Sequence, residues 1–318
     1  MNGTNPQRNG CIFAGDDSAI AEAAVILRAG GIVAVPTETV YGLAADANNA
    51  DAVAEIYRAK GRPDFNPLIV HVPDIAAARR LATFDTRAEA LAAEFWPGPL
   101  TLVLPSMPGA PIARAVTAGL PTIAVRCPAH PMMQSLLRQS GLCLAAPSAN
   151  RSGHISPTRA EHVASSLGAH SPMILDGGAC ADGLESTIVA LRTSGWQILR
   201  HGSVTLETLI AALGSQPTAV SDAKIEAPGQ MASHYAPSKP LRLDAASARA
   251  GEWMIGFGEV HGDDNLSASG DLAQAAARLF DALHRADAGH GSAIAVAPIA
   301  RTGIGAAIND RLLRAATR

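Results

Sequence analysis

Short apolar runs alternate with stretches of helical period along the first two thirds of the chain. Residues 32–35 form an apolar run between Gly30-Gly31 and Pro36, and residues 68–72 form another; runs bounded in this way predict buried strands. Between them Asn49 can cap a helix over residues 50–59 whose apolar face is Ala52, Val53, Ile56 and Tyr57. Lys60 and Gly61 end that helix, and Pro63 forbids its return. The same reading predicts helices over residues 18–29, 73–81, 85–95, 131–139, 158–167 and 205–213. It predicts strands over 100–104, 122–126, 142–146, 173–176, 186–191 and 196–200. Residues 110–120 give no clear period and predict a loop or a short helix. Periodicity vanishes over residues 215–240, which are rich in Pro, Gly and polar residues and read as a linker. Beyond it, strands over 241–243, 253–257 and 293–297 alternate with helices over 272–286 and 304–316, the pattern of a small α/β sheet. Three regions follow: a first domain (1–214), a linker (215–240) and a second domain (241–318).

The polar positions cluster where these elements end. Pro36-Thr37-Glu38-Thr39 stops the first strand with two hydroxyls and a carboxylate, and the strand over 68–72 ends with His71 directed outwards. Thr37, Thr39, Lys60, Arg62, Asn66 and His71 are thereby delivered to loops, where function usually sits. A second polar loop, residues 147–153, carries Ser148 and Asn150 and leads into Ser156-Pro157-Thr158 at a helix start. Backbone N–H groups and short donors there suit an anion, although Ser, Asn and Gly also make ordinary turns. Neither GxxxxGK[ST] nor a GxGxxG after a strand occurs. The chain has only three lysines, Lys60, Lys224 and Lys239, among 25 cationic residues. In so arginine-biased a chain, Lys60 hints at a need for a compact ammonium, as in phosphate contact. The linker carries Gln230, Met231, His234 and Tyr235 together, which suits a segment that docks rather than a plain spacer.

Composition narrows the function class. With 318 residues, 48% hydrophobic and 17% charged, and a net charge of −3, the chain reads as a soluble globular enzyme, neither a disordered tail nor a basic nucleic-acid binder. Cys11, Cys127, Cys143 and Cys180 are scattered without a CxxC pair, which argues against zinc and against a disulfide framework. No apolar stretch reaches the ~18 residues of a membrane span, and no signal-peptide core is present. A cytoplasmic protein with no membrane partner is expected.

Seven blocks in order carry a resemblance: PTETVYGL (residues 36–43), KGRPDFNPLIVH (60–71), WPGPLT (96–101), TIAVRCPAHP (122–131), APSAN (146–150), ESTIV (185–189) and HYAP (234–237). Together they resemble the threonylcarbamoyl-AMP synthase family in its longer two-domain form. The resemblance implies an α/β fold: a YrdC-like twisted mixed sheet with helices, then a linker and a small Rossmann-like α/β domain. It implies synthesis of L-threonylcarbamoyl-AMP from L-threonine, bicarbonate or CO2 and ATP, with release of pyrophosphate. The product would go to a separate transferase complex that modifies the adenosine beside the tRNA anticodon. By resemblance Thr39, His71, Arg126, Ala146 and Ser186 hold threonine, with Arg126 as a fork on its carboxylate. Lys60, Arg62, Asn66, Thr122, Ser148, Asn150, Ser156, Arg200 and Tyr235 hold ATP, and Lys60 and Arg62 are the catalytic cations. Mg2+ would come with ATP and take few protein ligands. Two other readings compete: an RNA-binding module of the YrdC-like class, and carbamoyl transfer in hydrogenase maturation. The net charge of −3 speaks against tight RNA or tRNA contact. Relatives of the hydrogenase kind carry zinc-finger cysteines and an acylphosphatase-like region, and this sequence has neither. The linker, between residues 228 and 237, is expected to fold back over the nucleotide side and exclude water from labile intermediates.

Overall fold

The computed structural model describes residues 11–219, 226–230 and 234–317. Met231 of the linker and Lys224 lie outside the described residues. The first domain runs β1 (Ile12–Ala14), α1 (Asp17–Arg28), β2 (Val33–Val35), β3 (Gly42–Asp46), α2 (Ala50–Lys60), β4 (Ile69–His71), α3 (Ile75–Arg79) and α4 (Thr86–Phe95). It continues with β5 (Leu100–Pro105), β6 (Thr122–Arg126), α5 (Pro131–Ser140), β7 (Leu144–Ala145), α6 (Ala160–Leu167), β8 (Met173–Asp176), β9 (Thr187–Arg192), β10 (Gly195–Arg200) and α7 (Leu206–Leu213). Asp16, Asn49, Asp74, Asp85 and Thr205 each accept a first-turn backbone N–H, so helix starts lie where short polar residues precede apolar period. Gly61 closes α2 in the left-handed conformation, φ 59°, which costs glycine no Cβ clash.

The strands form one mixed sheet in the order β1-β8-β2-β3-β7-β4-β6-β5-β9-β10. Strand alternation sorts it into two faces. Ala34, Leu43, Val70, Leu102, Val125 and Val189 point to one face and meet Val53, Ile56, Leu91, Val163 and Leu209 of α2, α4, α6 and α7 in a large core. Val33, Val35, Ala44 and Leu144 point to the other face and meet α1 and α5 through Leu27 and Leu136. That second cover reaches only half of the sheet. On the remaining half Ile69, Val103, Ala124 and Ile188 form a small cluster that Ala227 of the linker closes. His71 and Arg126 stand two residues beyond Ile69 and Ala124, hence on this same sparsely covered face. Parallel pairing of β4 with β6 sets them directly opposite each other.

The second domain adds β11 (Leu241–Arg242), β12 (Glu252–Gly256), β13 (Asp264–Asn265), α8 (Leu272–Ala288), β14 (Ala293–Val296) and α9 (Ile304–Ala316). Its strands pair in parallel in the order β11-β14-β12-β13. Leu279, Phe280 and Leu283 of α8 and Ile308 and Leu312 of α9 fill its core, and Val40, Ile155, Leu184 and Tyr235 join the same cluster from the first domain and the linker. The two domains therefore share apolar contacts rather than hang on a tether. No helix among the described residues is long and apolar enough to cross a membrane.

Three strands escape the sequence reading: β1, which pairs in parallel with β8, β3 and β13. β3 is GLAAD, whose small residues have poor strand propensity; pairing with both β2 and β7 overrides that preference. β13 is two residues long and carries no apolar signal. Residues 110–120 form turns without a regular element.

Candidate active site

The polar loops converge on a recess over the sparsely covered half of the sheet. One wall comes from the loop after β2 and the ends of β4 and β6. Arg126 is 3% exposed and is fixed from three sides. Its Nε donates to Gly98 O at 3.1 Å and its Nη1 to Thr39 Oγ1 at 2.9 Å. Its Nη2 stands 2.7 Å from Glu38 Oε1 as an ion pair that lacks hydrogen-bond alignment, so Nη2 and both Glu38 oxygens keep unused bonding capacity. Thr39 is aligned in turn by Thr37, whose hydroxyl lies 2.8 Å away. Burial alone would raise the Glu38 carboxyl, but the charge of Arg126 beside it leads the opposing effects, and Glu38 is held below its ordinary value. His71 is pushed down to about 3, chiefly by burial and then by Arg126, and so is neutral.

The opposite wall is cationic. Arg200, at the end of β10, donates from Nε to Ser186 O and from Nη2 to Ser186 Oγ, both at 3.0 Å. Ser186 Oγ also meets Thr101 Oγ1 at 2.7 Å, which ties the WPGPLT block to this wall. Arg62 donates to Asn66 O and Pro67 O, and burial lowers it to about 10. Lys60 reaches across to donate to the main-chain oxygens of Ser148 and Asn150, and burial followed by the charge of Arg62 holds it well below its usual value. Glu185 is kept ionised against burial by Arg311 and Arg200.

The linker forms the roof. Pro228, Gly229, His234 and Tyr235 line the recess, Arg200 Nη1 reaches Pro228 O at 3.5 Å, and Ala236 N donates to Gly153 O at 2.8 Å. Gly229 has φ +87°, and a Cβ there would lie 2.7 Å from Tyr235 Oη and 2.9 Å from Arg200 Cδ. Only glycine fits that approach. Tyr235 itself adopts φ 64°, rare for a bulky residue, and its hydroxyl has no hydrogen-bond partner.

Residues 25–202 match the Sua5/YciO/YrdC family, described as telomere recombination, and residues 204–317 match the threonylcarbamoyl-AMP synthase C-terminal domain. A threonylcarbamoyl-AMP synthase of Bacillus subtilis is 41% identical over 325 residues, covering 95% of this chain and 94% of the relative. The chain belongs to the threonylcarbamoyl-AMP synthase family. The Pyrococcus abyssi member is 38% identical over 318 residues, covering 92% of each chain. A crystal structure of Pyrococcus abyssi Sua5 complexed with L-threonine superposes with a TM-score of 0.84 at 36% identity, covering 93% of this chain and 94% of that one. The family fold, a mixed YrdC-like sheet followed by a second α/β domain, is the one observed.

Of the residues singled out from sequence, Thr39, Arg62, His71, Arg126, Ala146, Ser148, Ser186, Arg200 and Tyr235 line the recess. Five others stand behind or beyond the lining. Lys60 shapes the loop that carries Ser148, and Asn66 O holds Arg62. Asn150 bonds Arg151 O and His154 O, and Ser156 Oγ donates to Glu185. Thr122 shares the Arg126 face of β6 but lies four residues away, roughly 13 Å at strand rise.

Three expectations are corrected. Lys60 and Arg62 are not on an exposed loop: they are 3% and 8% exposed, because each satisfies main-chain carbonyls inside the fold. His71 does not face outwards but is buried at 3%, in a recess that the linker roofs. The start of α6 does not face the recess either; Thr158 and Arg159 line a different cleft, with Arg278 and Asp281 of α8. The sequence reading also assigned no role to Glu38, Thr101, Glu185 or Gly229. Glu38 and Glu185 each adjoin a singled-out residue in a motif block, and that adjacency was the available signal.

Proposed function

We propose that the protein synthesises L-threonylcarbamoyl-AMP from L-threonine, bicarbonate or CO2 and MgATP, releasing pyrophosphate. The observation that carries this is the half-used Arg126–Glu38 pair, buried beside neutral His71 and facing a wall of Arg62 and Arg200. The spare donor capacity of Arg126 Nη2 suits an amino-acid carboxylate, and a Glu38 oxygen suits an ammonium or hydroxyl. The neutral threonine amine attacks the carbon of CO2, which bicarbonate supplies on taking up a proton and losing water, and gives a carbamate as the amine releases a proton. A carbamate oxygen then attacks the α-phosphate, and the bond to pyrophosphate breaks.

Every reactant but CO2 carries negative charge, so cations and donors serve here better than a protein nucleophile. Arg62 and Arg200 offset phosphate charge, and Lys60 holds the Ser148 loop beneath it. His71, depressed to about 3, is a weak base and acts as a neutral hydrogen-bonding group. Mg2+ enters on the triphosphate. Among the described residues no group of three or more His, Cys, Asp or Glu could hold a metal ion independently. The roof of Pro228, Gly229 and Tyr235 keeps water from the carbamate and the mixed anhydride. A separate transferase then consumes the product at tRNA. The basic side chains are buried in one recess rather than displayed as a stripe, which favours small anions over RNA as ligands.

The test is pyrophosphate release from ATP with and without L-threonine and bicarbonate. Release is expected only with all three. L-valine is expected to fail and L-serine to be intermediate, because a site that bonds a side-chain hydroxyl rejects the analogue lacking it. Release with valine equal to that with threonine would end the reading.

A further inference from the structure

The recess has a rear support that comes from the second domain. Arg311 sits on α9 among Ile308, Leu312 and Ala315, on the face that packs into the core, and is 0% exposed. A guanidinium at such a position is costly unless its donors find acceptors. They do: Nε donates to Glu185 Oε2 at 2.8 Å, Nη1 to Asp310 Oδ2 at 2.7 Å and Nη2 to His201 O at 2.8 Å. Its Cζ also lies 5.2 Å from the ring centroid of Tyr235. Three of these four partners belong to the recess or adjoin it. Glu185 and Tyr235 line it, and His201 follows Arg200.

The other Glu185 oxygen accepts the Ser156 hydroxyl, so with that proton committed Ser156 Oγ can only accept further bonds. One turn further along α9, Arg314 O accepts from His234 N at 3.3 Å. Docking of the domains does not need this arginine. The interface already has the apolar contacts of Val40, Ile155 and Leu184 and the outer pair Arg159–Asp281. With Glu185 also made uncharged, an apolar residue of similar volume would dock as well or better. What it could not do is hold Glu185 ionised and fix the Tyr235 ring.

We propose that Arg311 is a positioning residue for the nucleotide side of the recess: through Glu185 and Tyr235, the second domain sets the geometry in which ATP binds. This rests on the synthase reading above. It gives the second domain a part in the reaction, although none of its described residues lines the recess.

The full-length chain is compared with Arg311→Met, Arg311→Lys, Glu185→Gln and the double variant Arg311→Met/Glu185→Gln. Leu312→Ala serves as the control, because it loosens the same helix without touching Glu185. Pyrophosphate release is titrated separately in MgATP and in L-threonine, and each variant is melted. Arg311→Met is expected to raise KM for ATP roughly tenfold to hundredfold while leaving KM for threonine near the parent value. Arg311→Lys keeps the charge but not the fork, and should fall between. The double variant should melt higher than Arg311→Met, because no carboxylate is left unpaired, yet bind ATP no worse than either single variant. Leu312→Ala should melt low with an unchanged KM for ATP.

An unchanged KM for ATP in Arg311→Met would overturn the proposal. So would additive losses in the double variant, or an equal rise in Leu312→Ala. If Arg311→Met does not fold, Arg311→Lys and the double variant decide by the same criteria. If the parent chain releases no pyrophosphate with threonine and bicarbonate, the synthase reading fails instead, and equilibrium binding of ATP to the same variants tests Arg311 alone.

Discussion

Two buried arginine–glutamate pairs flank the recess, and they differ in completeness. Arg311–Glu185 lies behind one wall with the three donor nitrogens of Arg311 and both carboxylate oxygens engaged. Arg126–Glu38 lies within the other wall, where Arg126 Nη2 and both Glu38 oxygens lack an aligned partner. In both, burial opposes the ionised carboxylate and the neighbouring arginine charge outweighs it. Charge and burial therefore do not distinguish a binding group from a supporting one. A satisfied buried network fixes geometry, whereas a buried pair with spare bonding capacity is held ready for a ligand.

The largest effect is expected where the incomplete pair is broken. Arg126→Ala removes the carboxylate fork and strands Glu38, so threonine affinity should fall by about 3 kcal/mol or more, on the order of a hundredfold. Calorimetric titration with L-threonine measures this. Unchanged affinity would move the carboxylate site elsewhere and undo the contrast between the pairs. Next in size is Lys60→Ala. Lys60 holds two carbonyls of the Ser148 loop, so its loss should cost about 1.5–3 kcal/mol of stability and most of the pyrophosphate release. A variant as stable as the parent but inactive would mean that Lys60 works on the ligand alone.

The fold was largely legible because its helices announce themselves through caps and its central strands through apolar runs. The strands that reading missed, β1, β3 and β13, are held by the neighbours that pair with them, and no local pattern records a neighbour. The site was legible at the level of motif blocks, and nine of the residues taken from them line the recess. What the blocks could not convey is depth. Lys60, Arg62 and His71 look like loop residues in one dimension and are buried in three, since what surrounds them includes the Ser148 loop and the linker, far along the chain. Arg311 had no chance of being noticed for the same reason: an arginine in an amphipathic helix reads as solvated until the helix is docked.

Docking also revises what the first domain can do alone. Truncation after Gly214 would uncover Val40, Ile155 and Leu184, leave Glu185 without Arg311, and strip Ala227 from Ile69 and Ile188. The isolated first domain is therefore expected to lose both stability and activity. The intact chain gives a cleaner test of the roof. ATP and threonine together should slow proteolytic cleavage within the linker, and either ligand alone should do less. Cleavage indifferent to ligands would leave the roof a fixed cover rather than a closing one.

The smallest effect, taken per pH unit, separates the two sides of the molecule by pH. His71 at the incomplete pair, His234 in the roof and His284 at the domain interface are each lowered from 6.5 to about 3, in every case chiefly by burial. A histidine neutral when folded but protonated when unfolded stabilises the fold fully above its unfolded value. That contribution is lost as pH falls from 6.5 towards about 3. Glu38 and Glu185 are lowered from 4.5, so their contribution is present above that value and is lost only below it. Urea unfolding should thus show stability declining from pH 6.5, before the contribution of Glu38 and Glu185 begins to fall below 4.5, with each histidine giving up to about 1.4 kcal/mol per pH unit. His284 touches Ser156 O from the second domain and stacks on His162 at 3.9 Å. His284→Gln should therefore flatten the slope by one group and leave threonine affinity unaltered, whereas His71→Gln should flatten it equally and weaken threonine. Equal threonine affinity in both variants would mean that His71, despite its place opposite Arg126, belongs with the supporting residues.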